Sequence, residues 1–375
     1  MKANQGVAIS EHFSCVSDPR MVNKSSHLLI DIISITICAV ICGADDWTNV
    51  ELFGRSKETW LKKFLKLPNG IPSHDTFGRV FSMILTEELE KAFLSWVKAI
   101  AEQVSGVVAI DGKTLRRSYD ASSNKKAIHM VSAWAAENGL VLGQIKTAEK
   151  SNEITAIPAL LELLEINGCI VTIDAMGCQK EIAAQIVEKK ADYVLALKRN
   201  QEGLYDEVFE LFQHAQETNF DGLPWDFHET EERHHGRHEI RRYWTITDLV
   251  MLTRVKEWPQ LRTVGMVESE CTCRGKTTRE YRFYVSSLDG RAEPFAQAIR
   301  SHWGIENSLH WVLDMSFRED ESRIRKGNAA ENFSIIRRLA LNLIKQEKST
   351  KKSVKSKRLL AGWDDNYFLK ILAAK

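Results

Sequence analysis

Apolar positions recur at helical spacing through the first hundred residues and then change to short unbroken runs. Leu28 to Cys42, Trp60 to Leu67 and Leu89 to Ile100 carry the three-and-four spacing of helices with one buried face. Pro68-Asn69-Gly70 and Ile71-Pro72 punctuate this segment, and Ser73 is placed to cap a helix running through Phe77 and Val80. From Gly106 the pattern predicts strands. Val107 to Asp111 is an apolar run ending in a carboxylate, and Ile128 to Trp134 and Leu140 to Ile145 are joined by a turn containing Asn138-Gly139. A helix over Glu153 to Ile166 is closed by Asn167-Gly168, then Ile170 to Asp174 is a fourth strand that again ends in a carboxylate. Gln179 to Lys189 is helical and Tyr193 to Leu197 is a fifth strand.

Three antiparallel strands followed by helix, strand, helix, strand is the element order of an α/β, ribonuclease-H-like core. Strands four and five with the helix between them form a βαβ unit. The expected organisation is a helical domain over 1–100, a catalytic domain over 101–346 interrupted by a mainly β insertion at about 200–290, and a basic tail over 347–375. Within the insertion His238 to Ile246 and Val264 to Leu288 read as strands, the latter folded at Arg274-Gly275-Lys276. Helices follow near Pro294, over Ala329 to Lys345 and over Asp364 to Leu372. The tail collects Lys345, Lys348, Lys351, Lys352, Lys355, Lys357 and Arg358, and it reads as a flexible solvated segment with non-specific affinity for nucleic acid.

Composition narrows the class. Of 375 residues 44% are hydrophobic and 27% charged, which excludes wholesale disorder. The formal net charge is only +1, so any case for nucleic acid must come from local clusters. The longest apolar run contains Asp31 and falls short of the roughly 20 residues a spanning helix needs, and no secretory signal is visible. Seven cysteines without a framework read as reduced thiols, and the expected location is cytoplasmic, at the nucleoid when DNA is bound.

The chemistry lies in the carboxylates. If the strands ending in Asp111 and Asp174 are neighbours, ~4.8 Å apart, their side chains leave the same sheet edge. Two carboxylates so placed repel unless a cation sits between them, and a hard oxygen set suits Mg²⁺ or Mn²⁺. Two such ions ~3.5–4 Å apart can clamp the attacking and leaving oxygens of a displacement at phosphorus. Glu306 is the best third carboxylate, with His302 and His310 at i−4 and i+4 on its helical face; Asp314, Asp320 and Glu321 lie nearby as alternatives. Each piece has a plainer reading: Asp111-Gly112 a turn, Asp174 a helix cap, Glu306 a solvated helix residue.

The words Ala109-Ile110-Asp111-Gly112-Lys113-Thr114, Thr172 to Gly177 with Gln179, Tyr193 to Gln201, and His302 to Glu306 with Leu309 to Asp314 resemble the H-repeat-associated transposases linked to Rhs elements of enteric bacteria. Ala44 to Trp47, Gly70 to Phe77 and Arg79 to Phe81 resemble the helical domain preceding that family's catalytic domain. The resemblance implies a DDE catalytic core with Asp111, Asp174 and Glu306 as catalytic and metal-binding triad, and two Mg²⁺ or Mn²⁺ ions as cofactors. It implies double-stranded DNA as partner, both the element's terminal repeats and a target, with a homodimer on DNA and no membrane. The implied activity is cleavage and strand transfer; an inactive DNA-binding remnant and a plain metal-dependent nuclease are the alternatives. Related insertion-sequence transposases carry Tyr, Arg and Lys at i−7, i−4 and i+7 of the glutamate. Here those places hold Ile299, His302 and Leu313, and Arg300 and His310 stand as substitute phosphate holders, which leaves the end-processing pathway open.

Lys113, Arg116 and Arg117 after the first aspartate, and Lys198 and Arg199 after the fifth strand, are expected on a rim flanking DNA. Arg237 belongs to a cluster with His234, His235, His238, Arg233, Arg241 and Arg242, read as a turn gripping phosphate or as a solvated polar hairpin. Trp225, Trp244 and Trp303 are candidates for base stacking or for core. Ser73 to Phe81 is a candidate helix-turn-helix segment, or one that only packs on the core.

Overall fold

The structure, a computed structural model, describes residues 9–21, 25–101, 104–119, 126–147, 153–234 and 236–373. Six helices come first: α1 Ile9–Phe13, α2 Leu29–Ile41, α3 Trp47–Ser56, α4 Glu58–Leu61, α5 His74–Met83 and α6 Thr86–Ile100. The apolar run over α2 is buried on nearly every side, and the Asp31 within it accepts a hydrogen bond from the backbone of Leu67 at 2.9 Å. That bond offsets the cost of taking a carboxylate out of water. Ser73 caps α5, accepting from Thr76 N.

The strands β1 Val107–Thr114, β2 His129–Ala135 and β3 Leu140–Thr147 form an antiparallel set. After α7 Glu153–Leu163 comes β4 Ile170–Ile173, and after α8 Lys180–Glu188 comes β5 Asp192–Leu197. β4 pairs parallel to β1, and β5 parallel to β4, giving the order β3-β2-β1-β4-β5. This is the ribonuclease-H-like core. Its strands are apolar because both faces are covered: β2 is buried at every position.

The segment expected as a mainly β insertion opens with a sixteen-residue helix, α9 Glu202–Glu217, that the pattern reading missed, as it missed the strand β6 Trp225–His234. With β7 Arg237–Ile246, β8 Thr263–Cys273 and β9 Lys276–Ser286 the inserted strands do not stand apart. β9 pairs antiparallel with β5, so one nine-stranded sheet runs β3-β2-β1-β4-β5-β9-β8-β7-β6.

The helix α10 Ala292–Ile305 continues through a π-helical turn over Glu306–His310 into α11 Trp311–Phe317. Then α12 Ala329–Gln346, buried along almost its whole length, packs against α2, α5, α6 and β3, so helical domain and sheet share one core. The tail differs from the expectation of a loose segment. Val354–Trp363 forms α13 and Asp365–Leu372 forms α14. Two of its cations are buried: Arg358 donates to the Val40 carbonyl at 2.9 Å and pairs with Asp45 at 3.2 Å, and Lys357 donates to the Ile344 carbonyl at 3.2 Å. Cations that satisfy helix C-terminal carbonyls pin the chain down rather than solvate it. No described helix is long and apolar enough to cross a membrane, and the described cysteines are all free.

Candidate active site

The parallel pairing of β1 with β4 sets the centre. Ile110 is registered against Ile173, so the next residues stand side by side, Asp174 just past the end of β4 and Asp111 still within β1, which runs on to Thr114 where the sequence pattern had ended it. Asp174 ends its strand and caps a 3-10 turn, accepting from Met176 N at 3.0 Å and Gly177 N at 3.4 Å. The capping role read from the sequence is therefore real, and it also holds the carboxylate at the strand end. Burial pushes the Asp174 carboxyl above its ordinary range, with Glu153 and Asp111 adding repulsion. Burial would raise Asp111 too, but the neighbouring His310 outweighs it and holds that carboxyl below the usual range. His310 Nε2 stands 3.3 Å from Asp111 Oδ2, near enough to pair charge but off the line of a hydrogen bond, since neither ring nitrogen has a partner.

Glu306 opens the π turn, in which Trp311 N donates back to the Glu306 carbonyl. One extra residue in a turn is a local cost that helices keep mostly where a side chain must be re-aimed. A cavity of about 210 Å³ is lined by Asp111, Asp174 and Glu306 together with His302, Trp303 and Lys198. A second, of about 390 Å³, is lined by Asp111, Glu306 and His310 with Arg116, Asp314 and Asp320. The two histidines expected on one face of Glu306 thus flank it in different cavities, as the bulge between them requires. Of the four acidic candidates on this stretch, only Glu306 lines a cavity with both aspartates. Asp314 and Asp320 are held by Lys113, and Glu321 by Arg318.

Three carboxylates on one cavity are the hard oxygen donors a divalent cation takes. Among the described residues no three acidic, histidine or cysteine side chains already close on one point. Asp111 is turned to His310 and Asp174 to its own backbone, as expected of like charges that find other partners. The donor chemistry fits such an ion, and the side chains must swing to meet it.

Two residues that pattern reading passed over complete the surroundings. His129 Nε2 lies 2.5 Å from Glu153 Oε1, a buried pair beneath Asp111. Gly112 exists to admit it, because a Cβ there would sit 2.4 Å from each partner. The only sequence signal was the glycine itself, which also reads as a turn.

The expected DNA-facing cations divide. Lys113 is only 10% exposed and bonds Asp314 at 2.5 Å and Asp320 at 3.0 Å, so it braces β1 against α11 and the chain just beyond it instead of offering charge to a phosphate. Arg300 is held by both oxygens of Glu232 at 2.8 and 2.9 Å. His302 is half-buried, with Nδ1 3.1 Å from Thr172 Oγ1, and burial drives its pKa down. Arg116 is exposed and meets Asp320 at 3.2 Å, while Arg117, Lys198, Arg199 and Arg237 are exposed. Arg199 also sits over the Tyr205 ring at 5.8 Å. Around Arg237 the hairpin is self-neutralised: Arg233 and His238 both contact Glu231, and Arg242 contacts Glu229 and Glu268. His235 lies outside the described residues. Trp303 is half-exposed at the cavity with Arg282 4.9 Å over its ring, and Trp225 and Trp244 pack with tilted rings against Phe220 and Phe227.

Comparison with known proteins shows the family. Residues 10–97 match the family model described as DDE_Tnp_1-associated, and residues 102–343 match the Transposase DDE domain. The chain is 45% identical over 372 residues to "Putative transposase YncI" of Escherichia coli O157:H7, covering 98% of this chain and 95% of that protein. It is 42% identical over 372 residues to the "H repeat-associated putative transposase YhhI" of Escherichia coli strain K12, covering 97% of each. A solved piggyBac transposase synaptic complex with hairpin DNA aligns with 96% of this chain and 77% of its own, at a TM-score of 0.47 and 12% identity, too loose a likeness to carry the fold.

Proposed function

The chain belongs to the DDE transposases, within the H-repeat-associated family, and on that premise we propose that it cuts and joins DNA at the ends of its own insertion element. The observation that carries the proposal is the convergence of Asp111, Asp174 and Glu306, from two neighbouring strands and a π turn, on one cavity. DDE transposase domains imply dependence on a divalent metal in general. Here the three carboxylates would hold Mg²⁺ or Mn²⁺, two ions per site. When bound, the ions supply the positive charge that activates a water or 3′ hydroxyl and stabilises the leaving oxygen.

The protein's own groups do the rest. The sheet edge fixes Asp111 beside Asp174, so that neither carboxylate can leave the other's field. Lys113, paired with Asp314 and Asp320, ties β1 to the chain just beyond the Glu306 helix and limits how far the third carboxylate can drift. His310, buried 3.3 Å from Asp111 and without an aligned hydrogen bond to hold it there, can release the carboxylate. Exposed Lys198 on the cavity wall is free to meet a phosphate oxygen. Hydrolysis frees an element end, and attack by the freed 3′ hydroxyl joins it to target DNA. Because two ends join in one event, the working form is a homodimer on DNA.

The test uses DNA carrying the repeats that flank the gene, in Mg²⁺ and in Mn²⁺, with the protein and its Asp174→Ala variant. Cleaved and joined products that disappear in the variant and in EDTA are expected. Products that survive full chelation overturn the scheme. Cut but never joined ends make the protein a plain nuclease, and DNA binding without any product makes it an inactive remnant of a transposase.

A further inference from the structure

A large groove of about 1370 Å³ lies away from the carboxylates, between the N-terminal helices α3 and α5 and the segment that links α11 to α12. Its walls are locked together. Gly327 takes φ +52°, and a Cβ there would sit 2.4 Å from the Ser82 carbonyl. Asn328 N donates to that same carbonyl at 3.1 Å, and Asn332 Nδ2 donates to the Phe81 carbonyl at 2.9 Å. Trp47 is wedged between Phe81 and Phe333 with ring centroids 5.0 and 4.9 Å apart. The groove is thus a fixed feature of how the helical domain seats on the catalytic domain.

Its charge is unbalanced in a particular way. Most of the acids on its lining are already engaged: Asp45 by Arg358, Asp46 as the cap that accepts from Asn49 N, Glu321 by Arg318. Asp75 is exposed, with His74 3.6 Å away. Three lining cations, Arg79, Arg323 and Lys326, are exposed, and their side chains have no acidic partner among the described residues. Three cations without an acidic partner on one concave wall, where the neighbouring acids are mostly engaged, make a surface suited to an external anion.

The groove also connects to the active site. The segment that forms its wall includes Asp320, which lines the Asp111–Glu306 cavity and contacts Arg116 at 3.2 Å. Arg325, on the same segment, donates to the Arg117 carbonyl at 2.9 Å and lies 4.7 Å over the Tyr119 ring. A path of exposed cations therefore runs from Arg116 and Arg117 beside the carboxylates to Arg323, Lys326 and Arg79.

We propose that this groove grips the phosphate backbone of duplex DNA as it leaves the carboxylate site, so that the N-terminal helices and the 318–327 segment hold it together. The inference rests on the transposase reading for the identity of the polyanion. It goes beyond that reading by placing the duplex in a groove of which the sequence marked only the Ser73 to Phe81 wall, as a candidate helix-turn-helix, and by adding the opposite wall from the 318–327 segment. Contacts to phosphate fix register without reading sequence, so affinity from the groove is independent of the bases.

The experiment is equilibrium binding of a duplex bearing the gene's flanking repeat, in EDTA so that no cutting intervenes, over a range of salt. The triple variant Arg79→Ala, Arg323→Ala, Lys326→Ala is compared with the unaltered protein and with Arg291→Ala, an arginine outside the groove whose charge Asp289 already meets at 2.9 Å. Each lost phosphate contact should lower the slope of log affinity against log salt by roughly 0.9. The triple variant should therefore lose slope by roughly 2 to 3 and bind at least tenfold more weakly at low salt. Arg291→Ala should change neither, Asp75→Asn should bind more tightly, and Arg323→Lys should keep its affinity. A triple variant that melts like the unaltered protein and binds with unchanged affinity and slope overturns the proposal. A variant whose self-association changes while its DNA affinity does not overturns it too, and makes the groove a contact between copies. Because the readout is binding, cleavage that fails while the groove residues still carry the salt slope defeats the catalytic reading alone.

Discussion

Two ionic networks sit at opposite ends of the same sheet, built from the same residue types, and they behave differently because one is dry and the other wet. In the core half, Glu319 has a fully buried side chain facing Arg338 Nη1 at 3.0 Å, Lys113 Nζ at 3.7 Å and Arg337 Nη1 at 4.0 Å. Arg338 donates in addition to Ser334 Oγ and, at 3.5 Å, to Ser132 Oγ on β2. In the inserted half, charges alternate across the strands. Glu229 opposes Arg242, Arg242 opposes Glu268, and Glu270 opposes Arg279, each pair in direct register and within 2.6 to 2.8 Å. Glu229 and Arg279 are exposed, and water reaches this ladder. The dry network fixes where Lys113, and with it the end of β1, can stand; the wet one sets strand register and cancels the charge of a hairpin that would otherwise be strongly basic.

The contrast breaks most easily at Arg338. Arg338→Met removes the nearest countercharge of Glu319 and leaves a carboxylate in the interior, which should cost about 3–5 kcal/mol. Denaturant unfolding measures it. The double variant Glu319→Gln with Arg338→Met should recover part of the loss, because an unpaired charge, more than a missing pair, is the expensive state. If Arg338→Met unfolds within 1 kcal/mol of the unaltered protein, the network is not dry and the comparison collapses.

A second consequence concerns pH. Two buried carboxyls near Arg338 are driven in opposite directions. Burial would raise Glu319, but Arg338, Lys113 and Arg337 overcome it and hold it at about 2. Burial dominates at Glu90, which is pushed up to about 8, although Gln144 N donates to it at 3.2 Å. The signs follow. Glu319, depressed, contributes stability that is present above the ordinary glutamate range near 4.5 and is lost as pH falls toward 2. Glu90, raised, contributes stability that is full below that range and is lost as pH climbs through about 8. Stability should therefore slope downward from pH 5 to 8 by on the order of 1 kcal/mol per unit from Glu90. Glu90→Gln should flatten that slope in thermal melts at stepped pH, and an unchanged slope would show that the carboxyl is not neutral in the folded state.

What the sequence revealed, and what it hid, follows the same division. The apolar runs of β1, β4 and β5 and the carboxylates that follow two of them were legible, because a core strand buried on both faces writes its burial into composition. The fold of that half followed from element order. Lys113 was not legible: a lysine two residues after a strand-end aspartate looks like rim charge, and only the return of Asp314, Glu319 and Asp320 from two hundred residues away makes it a brace. The π turn at Glu306 leaves no mark in a pattern that assumes 3.6 residues per turn. β6 escaped because its outer part, Glu229 to His234, is polar at every position and shows no alternation of apolar with polar. The tail's Lys357 and Arg358 read as solvated because their partners are backbone carbonyls, which no residue pattern displays.

The smallest effect should come from the wet ladder itself. Arg242 is the residue that touches most of it, contacting Glu229 at 2.8 Å, Glu268 at 2.6 Å and Glu270 at 3.5 Å. Arg242→Ala leaves carboxylates near one another, yet Glu268 still accepts a hydrogen bond from Tyr281 Oη at 2.7 Å, and Glu229 faces solvent. Water can therefore replace most of what the guanidinium supplied, and the loss should be about 1 kcal/mol at low salt. Salt near 1 M shortens the screening distance to about 3 Å and should erase most of that difference, whereas the Arg338→Met penalty should persist in the same buffer. Unfolding both variants at low and high salt gives four numbers, and the comparison needs the Arg242 pair to converge while the Arg338 pair stays apart. Convergence of both would mean that water reaches Glu319 as freely as Glu229, and the end of β1 would then owe its position to the apolar core alone.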